Sequence, residues 1–433
     1  MTGIFFTGLS MRNISESFLC YIWLHGLYNK NKLLTTNAER IEIISPGIKN
    51  TDAGPDFFNA KIKINGILWV GNIEIHLNSS AWSLHSHNID ANYDNIILHV
   101  VLKNDKQVIR KNGTQIPTVE LEIDEKIISQ IDSLTNNNAS TPCAKYLPSI
   151  EPILINLWLQ SVVIERLEQK TERIRMFLAE TKNSWEDAFY IHFMKNLGLT
   201  SNSQPFEMLA RSLPLKYLLK HRNNILQVEA LLFGQAGFLM DETCNDPYFI
   251  ALRKEYIFLQ NKFSLRPIAR HLWKFMRMRP AGFPTIRLAQ FAQIITKHQG
   301  FFSEFIQTQN LSGLKKFFEV SVSEYWKTHY LFGKITPSSN KKMGNDFIST
   351  LAINTLVPFL FEYGKFKNNE EIRERAISLL EEIAAEKNSI IRKWQNIGIN
   401  VSNAMQSQAL IQLKNEYCNK KRCLECSIGL EIM

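Results

Sequence analysis

Near residue 149 the hydrophobic period of this chain changes, and that change limits the folds open to it more than any other property of the sequence. Before it, apolar and polar residues alternate in short runs. After it, apolar residues recur about every 3.6 positions, almost to the end. Period two sends successive side chains to opposite faces of a strand, whereas 3.6 draws one stripe along a helix. The expected fold class is α+β, a mixed sheet with flanking helices followed by a large all-α domain. At 433 residues the chain is long enough for two cores. The expected division is 1–10 as a disordered tail, 11–145 as an α/β domain, 146–417 as a basic helical domain and 418–433 as a C-terminal cysteine motif. Polar residues 132–141 (DSLTNNNAST) are expected to link the first two domains.

Within the first part, Ser15 to Asn29 predicts an amphipathic helix with a serine cap, and Arg40 to Ile44 a strand. Ala60 to Ile64 and Ile67 to Leu77 predict two strands joined by a tight Asn65-Gly66 hairpin. Ile89 to Tyr93 suits a short helix. Asn95 to Leu102 is apolar throughout apart from His99, as a buried strand requires, and Thr118 to Ile123 alternates again. Helices are predicted over 150–180, 184–197, 203–221, 225–234, 247–262, 267–277, 285–298, 344–362, 369–384 and 402–417.

Chemistry concentrates between residues 54 and 99. Asp56, Glu74, His76, His85, His87, Asp90 and His99 fall there, and with them four of the ten histidines. Strand period puts Glu74 and His76 on one face and Ile73, Ile75 and Leu77 on the other. The hairpin brings Asp56 toward Glu74, and a divalent cation relieves the repulsion between two close carboxylates. His99 alone also fits a hydrogen-bonded core residue, and His85 and His87 share a face only if their segment is extended.

Gly-Pro-Asp56 followed by Glu74-Ile-His76 resembles the metal site of the PD-(D/E)XK nuclease superfamily, and the order of helix and strands resembles that superfamily's core. The resemblance implies a metal-dependent nuclease cleaving phosphodiester bonds in DNA or RNA. Asp56, Glu74 and His76 would be catalytic, and Asp56 and Glu74 would hold Mg²⁺ or Mn²⁺, with His85, His87 and His99 as further ligand candidates. His76 stands where that superfamily usually has lysine, so Lys61 or Lys63 is expected to supply the missing charge. A longer resemblance runs through DAGPDFFNAKI, WVGNIEIHLNSSAW, HSHNIDANYDNIILHVV, LLFGQAGFL, RMRPAGFPTIRLAQFA and YCNKKRCLECSIG. These motifs, in that order, resemble a bacterial family catalogued as a domain of unknown function (DUF2851). Its pattern has an acid before the tryptophan of the second motif, where this chain has Ala81, which points to an altered member.

Cys418, Cys423 and Cys426 form C-x4-C-x2-C, a spacing that suits Zn²⁺ or an iron–sulfur cluster, and Cys143 is the expected fourth ligand. Cys20 and Cys244 fall in helical patterns and are expected in the core. Six cysteines are too few for a disulfide scaffold, so the expected compartment is the cytoplasm. No run approaches the roughly 18 apolar residues of a membrane span. The closest, Ile348 to Tyr363, is interrupted by Asn354, Thr355 and Pro358, so no membrane partner is expected.

Residues 1–145 hold 13 Lys and Arg against 14 Asp and Glu, so the whole net charge of +9 comes from the rest. Between Glu255 and Glu304 there is no acid. Arg266, Arg270, Lys274 and Arg277 follow at helical spacing, with Arg279 and Arg287 beyond, and aromatics interleave. That pattern predicts contact with nucleic-acid phosphates. Two other functions fit the residues: a non-catalytic nucleic-acid-binding or scaffold protein with a decayed nuclease core, and a histidine-rich zinc hydrolase using His76, His85, His87 and His99. The sequence leaves the oligomeric state open.

Overall fold

The computed structural model describes residues 14–50, 52–135 and 139–432. The expected tail at 1–10 and part of the expected linker lie outside them. The chain divides into two compact units, Met1–Ile155 with Lys414–Met433, and Asn156–Leu413. The last twenty residues thus belong with the first unit, where the sequence suggested a separate motif.

The first unit opens with α1 (Glu16–His25), whose Ser15 side chain accepts the Phe18 amide and whose Gly26 closes the helix at φ 63°. Six strands and two helices follow: β1 (Ile41–Ser45), β2 (Ile48–Lys49), β3 (Phe57–Ile64), β4 (Ile67–Asn78), α2 (Ala81–Leu84), β5 (Ile96–Lys103) and, after it, β6 (Thr118–Glu120) and α3 (Glu125–Thr135). The sheet runs β1-β3-β4-β5-β6, with β2 beside β3. Contacts among β1, β2, β3 and β4 are antiparallel, and those of β4 with β5 and β5 with β6 are parallel. Asn65 and Gly66 take φ of 48° and 82°, the left-handed pair that a two-residue hairpin needs.

One face of the sheet carries Ile62, Ile73, Ile75, Leu98 and Val100 and packs on Leu19, Ile22 and Trp23 of α1. Leu424 and Leu430, from the far end of the chain, pack against this same core. Alternation then forces Glu74, His76 and His99 to the opposite face, where all three are buried. A second small core joins Ile96, at the start of β5, to Trp82, Tyr93, Val108 and Ile116 from the segments that connect β4 to β5 and β5 to β6. α3 runs into the first four residues of the expected linker, and ahead of them its Ile127 and Ile128 pack against the core.

The second unit is built of helices, including Trp185–Leu197, Leu199–Ser212, Ile225–Gln235, Pro247–Phe263, Pro284–Lys297, Glu370–Glu382 and Ala404–Gln412. The helix predicted over 203–221 breaks before Pro214. The helix predicted over 267–277 does not form; only a 3₁₀ turn, Arg270–Leu272, is present. Its backbone groups find partners elsewhere. Ile268 N–H donates to Gln235 O, Gln235 Nε2 donates to Arg266 O, and Asn202 exchanges hydrogen bonds with both backbone groups of Lys274. Cys244 lies half-buried in a loop, not in a helical core.

Asn345–Lys367 is one helical stretch with a π turn at Ala352–Leu356, and by length and composition it is apolar enough to cross a membrane. The sequence discounted it because of Asn354, Thr355 and Pro358. In the fold 72% of its most apolar window is buried inside the protein, as in the core helix of a globular unit. The π turn frees carbonyls that polar side chains take up: Lys170 Nζ donates to Ile353 O, and Asn196 Nδ2 to Asn354 O.

Candidate metal centre

β3 and β4 place the two acids. Asp56 stands just before β3, and Phe57 pairs with Ile73, so Asp56 lies level with Glu74. The Asp56 amide donates to Glu74 Oε2 at 3.2 Å, and Asp56 Oδ2 accepts the Ile75 amide at 2.9 Å. The Cys20 thiol of α1 lies beside the Asp56 carboxylate as well. Asp56 is therefore pinned by its neighbours, and it pins Glu74 in turn.

The other carboxylate oxygen of Glu74 faces imidazoles. Oε1 lies 3.6 Å from His76 Nε2 and 3.3 Å from His87 Nε2. His76 Nε2 lies 3.2 Å from His85 Nδ1. The ligand atoms of His76, His85 and His87 all fall within 4.8 Å of one another. Nitrogen and oxygen donors on a tetrahedral ion at about 2.0–2.1 Å sit about 3.3 Å apart, close to the 3.2, 3.3 and 3.6 Å that separate His76 from His85, Glu74 from His87 and Glu74 from His76. His85 and His87 do not reach the centre from an extended strand. α2 ends at Leu84, Ser86 takes φ 62°, and the resulting turn swings both rings toward His76. His87 stacks on Tyr93, with ring centroids 3.8 Å apart, and Trp82 packs edge-on against it. Trp82 and Tyr93 are parts of the site that the sequence reading passed over.

His99 takes a different place from the ligand role expected of it. It pairs with Glu74 in the β4–β5 register, and its Nε2 lies 2.8 Å from His76 Nδ1, on the side of the ring away from Glu74. It supports His76 and fixes its tautomer. Its own Nδ1 is buried without a hydrogen-bond partner. Lys61 and Lys63 do not replace the absent lysine. They lie opposite Val70 and Leu68. The nearer, Lys61, is four positions along β4 from Glu74, about 14 Å at strand rise. Lys63 instead pairs with Glu42. Asp90 caps the 3₁₀ turn Ala91–Tyr93. Ala81 opens α2, whose start is held by Asp105 through Ser79 and Ser80.

Burial governs the charges. It raises Glu74 to about 9, with the Asp56 charge adding to the effect, and it raises Asp56 as well. Burial lowers His76 to about 2, helped by His99, His87 and His85, and lowers His99 to about 3. The Glu74 carboxyl is thereby held neutral beside the neutral rings of His76 and His99. His76 Nε2 and His85 Nδ1, 3.2 Å apart, share one proton or, in its place, a cation. A divalent ion bound there would take that place and would displace the Glu74 proton. Three imidazoles with one carboxylate suit Zn²⁺, Mn²⁺ or Fe²⁺ better than Mg²⁺, which prefers oxygen.

The other expected site residues lie outside this centre. Arg266, Arg270, Lys274, Arg277 and Arg279 are exposed on an irregular segment of the second unit, not on one helix face. Arg287 is buried, stacks 3.4 Å over the Phe347 ring and donates to Gln290, so it is a core residue and not a phosphate contact. Cys143, Cys418, Cys423 and Cys426 all fall in the first unit.

A family model described as "Protein of unknown function (DUF2851)" matches residues 16–389, which include the acids, the histidines and the basic segment and stop short of the C-terminal cysteines. No curated protein and no solved structure matches the chain.

Proposed function

This chain belongs to the DUF2851 family of proteins of unknown function, and we propose that it is a metal-dependent hydrolase that cleaves phosphodiester bonds in DNA or RNA. The observation that carries the reading is the convergence of Glu74 Oε1 with the Nε2 atoms of His76 and His87. Glu74, His76, His85 and His87 hold the ion, with Mn²⁺ or Zn²⁺ favoured. Asp56 positions Glu74 through its amide, and His99 orients His76. The ion lowers the pKa of a bound water and offsets charge on the phosphoryl oxygens. The choice of phosphodiesters is supported by the PD-(D/E)XK-like arrangement: an acid ahead of one strand, Glu-x-His on the next, and a parallel strand beside it. Exposed Arg266, Arg270, Lys274, Arg277 and Arg279 supply cations for a polyanion.

The test is cleavage of plasmid and single-stranded substrates with Mn²⁺, Zn²⁺ or Mg²⁺ added to the metal-stripped chain. Glu74→Gln is expected to lose both bound metal and at least about a hundredfold in rate, as removal of a key catalytic group does. Cleavage that survives Glu74→Gln sinks the assignment. Salt-dependent binding with no cleavage under any metal selects the decayed-core reading instead. A second reading, a zinc hydrolase of small substrates, is favoured by the three-imidazole set itself. Turnover of small esters or phosphodiesters without action on polynucleotides would select it.

A further inference from the structure

A second cluster of ligating side chains lies apart from the acids and histidines. Cys418, Cys423 and Cys426 sit on tight turns. Lys421 N–H donates to Cys418 O, and Cys426 N–H donates to Cys423 O. This segment is anchored beside the one that carries Cys143. Lys414 Nζ donates to Ser140 O, and the Cys423 thiol lies 3.6 Å from Leu134 O. Helix Ser427–Ile432 presses onto the turn so closely that a Cβ on Gly429 would meet Cys423 O at 2.1 Å. Cys426 is buried, and Cys143, Cys418 and Cys423 are half-buried. None of the six cysteines forms a disulfide. The thiols are neighbours: Cys418, Cys426 and Cys423 lie near enough to Cys143 to add to the upward shift that burial gives it, as do Cys426 and Cys423 for Cys418 and Cys426 for Cys423.

We propose that Cys143, Cys418, Cys423 and Cys426 are the four thiolate ligands of an iron–sulfur cluster that joins the C-terminal segment to the first unit. Spacing favours a cluster over a single zinc ion. Thiolates on tetrahedral zinc at about 2.3 Å lie about 3.8 Å apart. Among the described residues, no three of these sulfurs come within 4.8 Å of one another. A cluster several atoms wide holds its thiolates farther apart than one ion does. Loading the chain with two ferrous ions, two ferric ions and four sulfide ions releases the four S–H protons as four Fe–S bonds to cysteine form, with no net change of oxidation state. The proposal is independent of the hydrolytic reading.

The test is iron, sulfide and zinc analysis of the full chain purified without oxygen, with its visible spectrum before and after dithionite. About four iron and four sulfide per chain, with a broad absorption that dithionite bleaches, is the expected result. Cys143→Ser and Cys423→Ser are expected to lose most of the iron, and Cys244→Ser to keep it. Stoichiometric zinc without sulfide, or no metal at all, overturns the proposal. So does full iron in Cys143→Ser. If a serine variant fails to fold, the metal and sulfide content of the unmodified chain still decides.

Discussion

Lys170 shows how one buried residue sets a pH dependence. Its Nζ donates to Ile353 O, Asn354 Oδ1 and Gln408 Oε1. Burial outweighs those acceptors, with Arg166 adding to it, and lowers its pKa from 10.5 to about 7. The unfolded chain therefore binds more protons between about pH 7 and 10.5, so this group makes the fold more stable as pH rises through that window. Denaturant unfolding at pH 7 and pH 9 checks it: the wild type is expected to gain more stability over the interval than Lys170→Met, and equal gains would refute the assignment. Glu74 has the opposite sign, since its raised pKa makes stability fall from about pH 4.5 to 9, but it is common to both proteins and cancels. Residue chemistry was only partly legible in the sequence. Strand alternation alone put Glu74 and His76 on one face. That His99 would support His76, and that Arg287 would be buried on Phe347, depends on contacts between segments distant in the chain.

At the scale of elements, helix Ile225–Gln235 packs on Pro247–Phe263 through Gly234. A Cβ there would lie 2.1 Å from the Tyr256 ring, and that ring is fixed by its hydroxyl donating to Gln235 Oε1. Gly234→Ala is expected to cost about 1–3 kcal/mol, or more if the helices cannot part, measured by urea unfolding. Unchanged stability would mean that the helices slide freely. Most elements could be read from period and caps, because both are local. The predicted helix at 267–277 failed for a reason no local pattern carries: Gln235 and Asn202 reach in from elsewhere and take its backbone groups. The sequence left the segment of His85 and His87 open between extended chain and loop, since Ser86 adopts a left-handed conformation that its sequence does not announce.

At the scale of the molecule, the first unit is made from both ends of the chain. Leu424 and Leu430 fill part of the core built by α1 and the sheet. A chain ending at Leu413 is expected to lose amide-exchange protection in α1 and α3 and to melt at a lower temperature, while protection that matches the full chain would show the C-terminal segment to be dispensable. The sequence showed the change from strands to helices but not this return, because an apolar residue near a terminus does not say which core it fills. The return also sets a timetable for biosynthesis. A ribosome adding roughly 5–20 residues per second needs on the order of 13–50 s to translate the stretch from Asn156 to Leu413. Through that interval the nascent sheet waits with a gap in its hydrophobic interior, a window in which chaperones have something to hold.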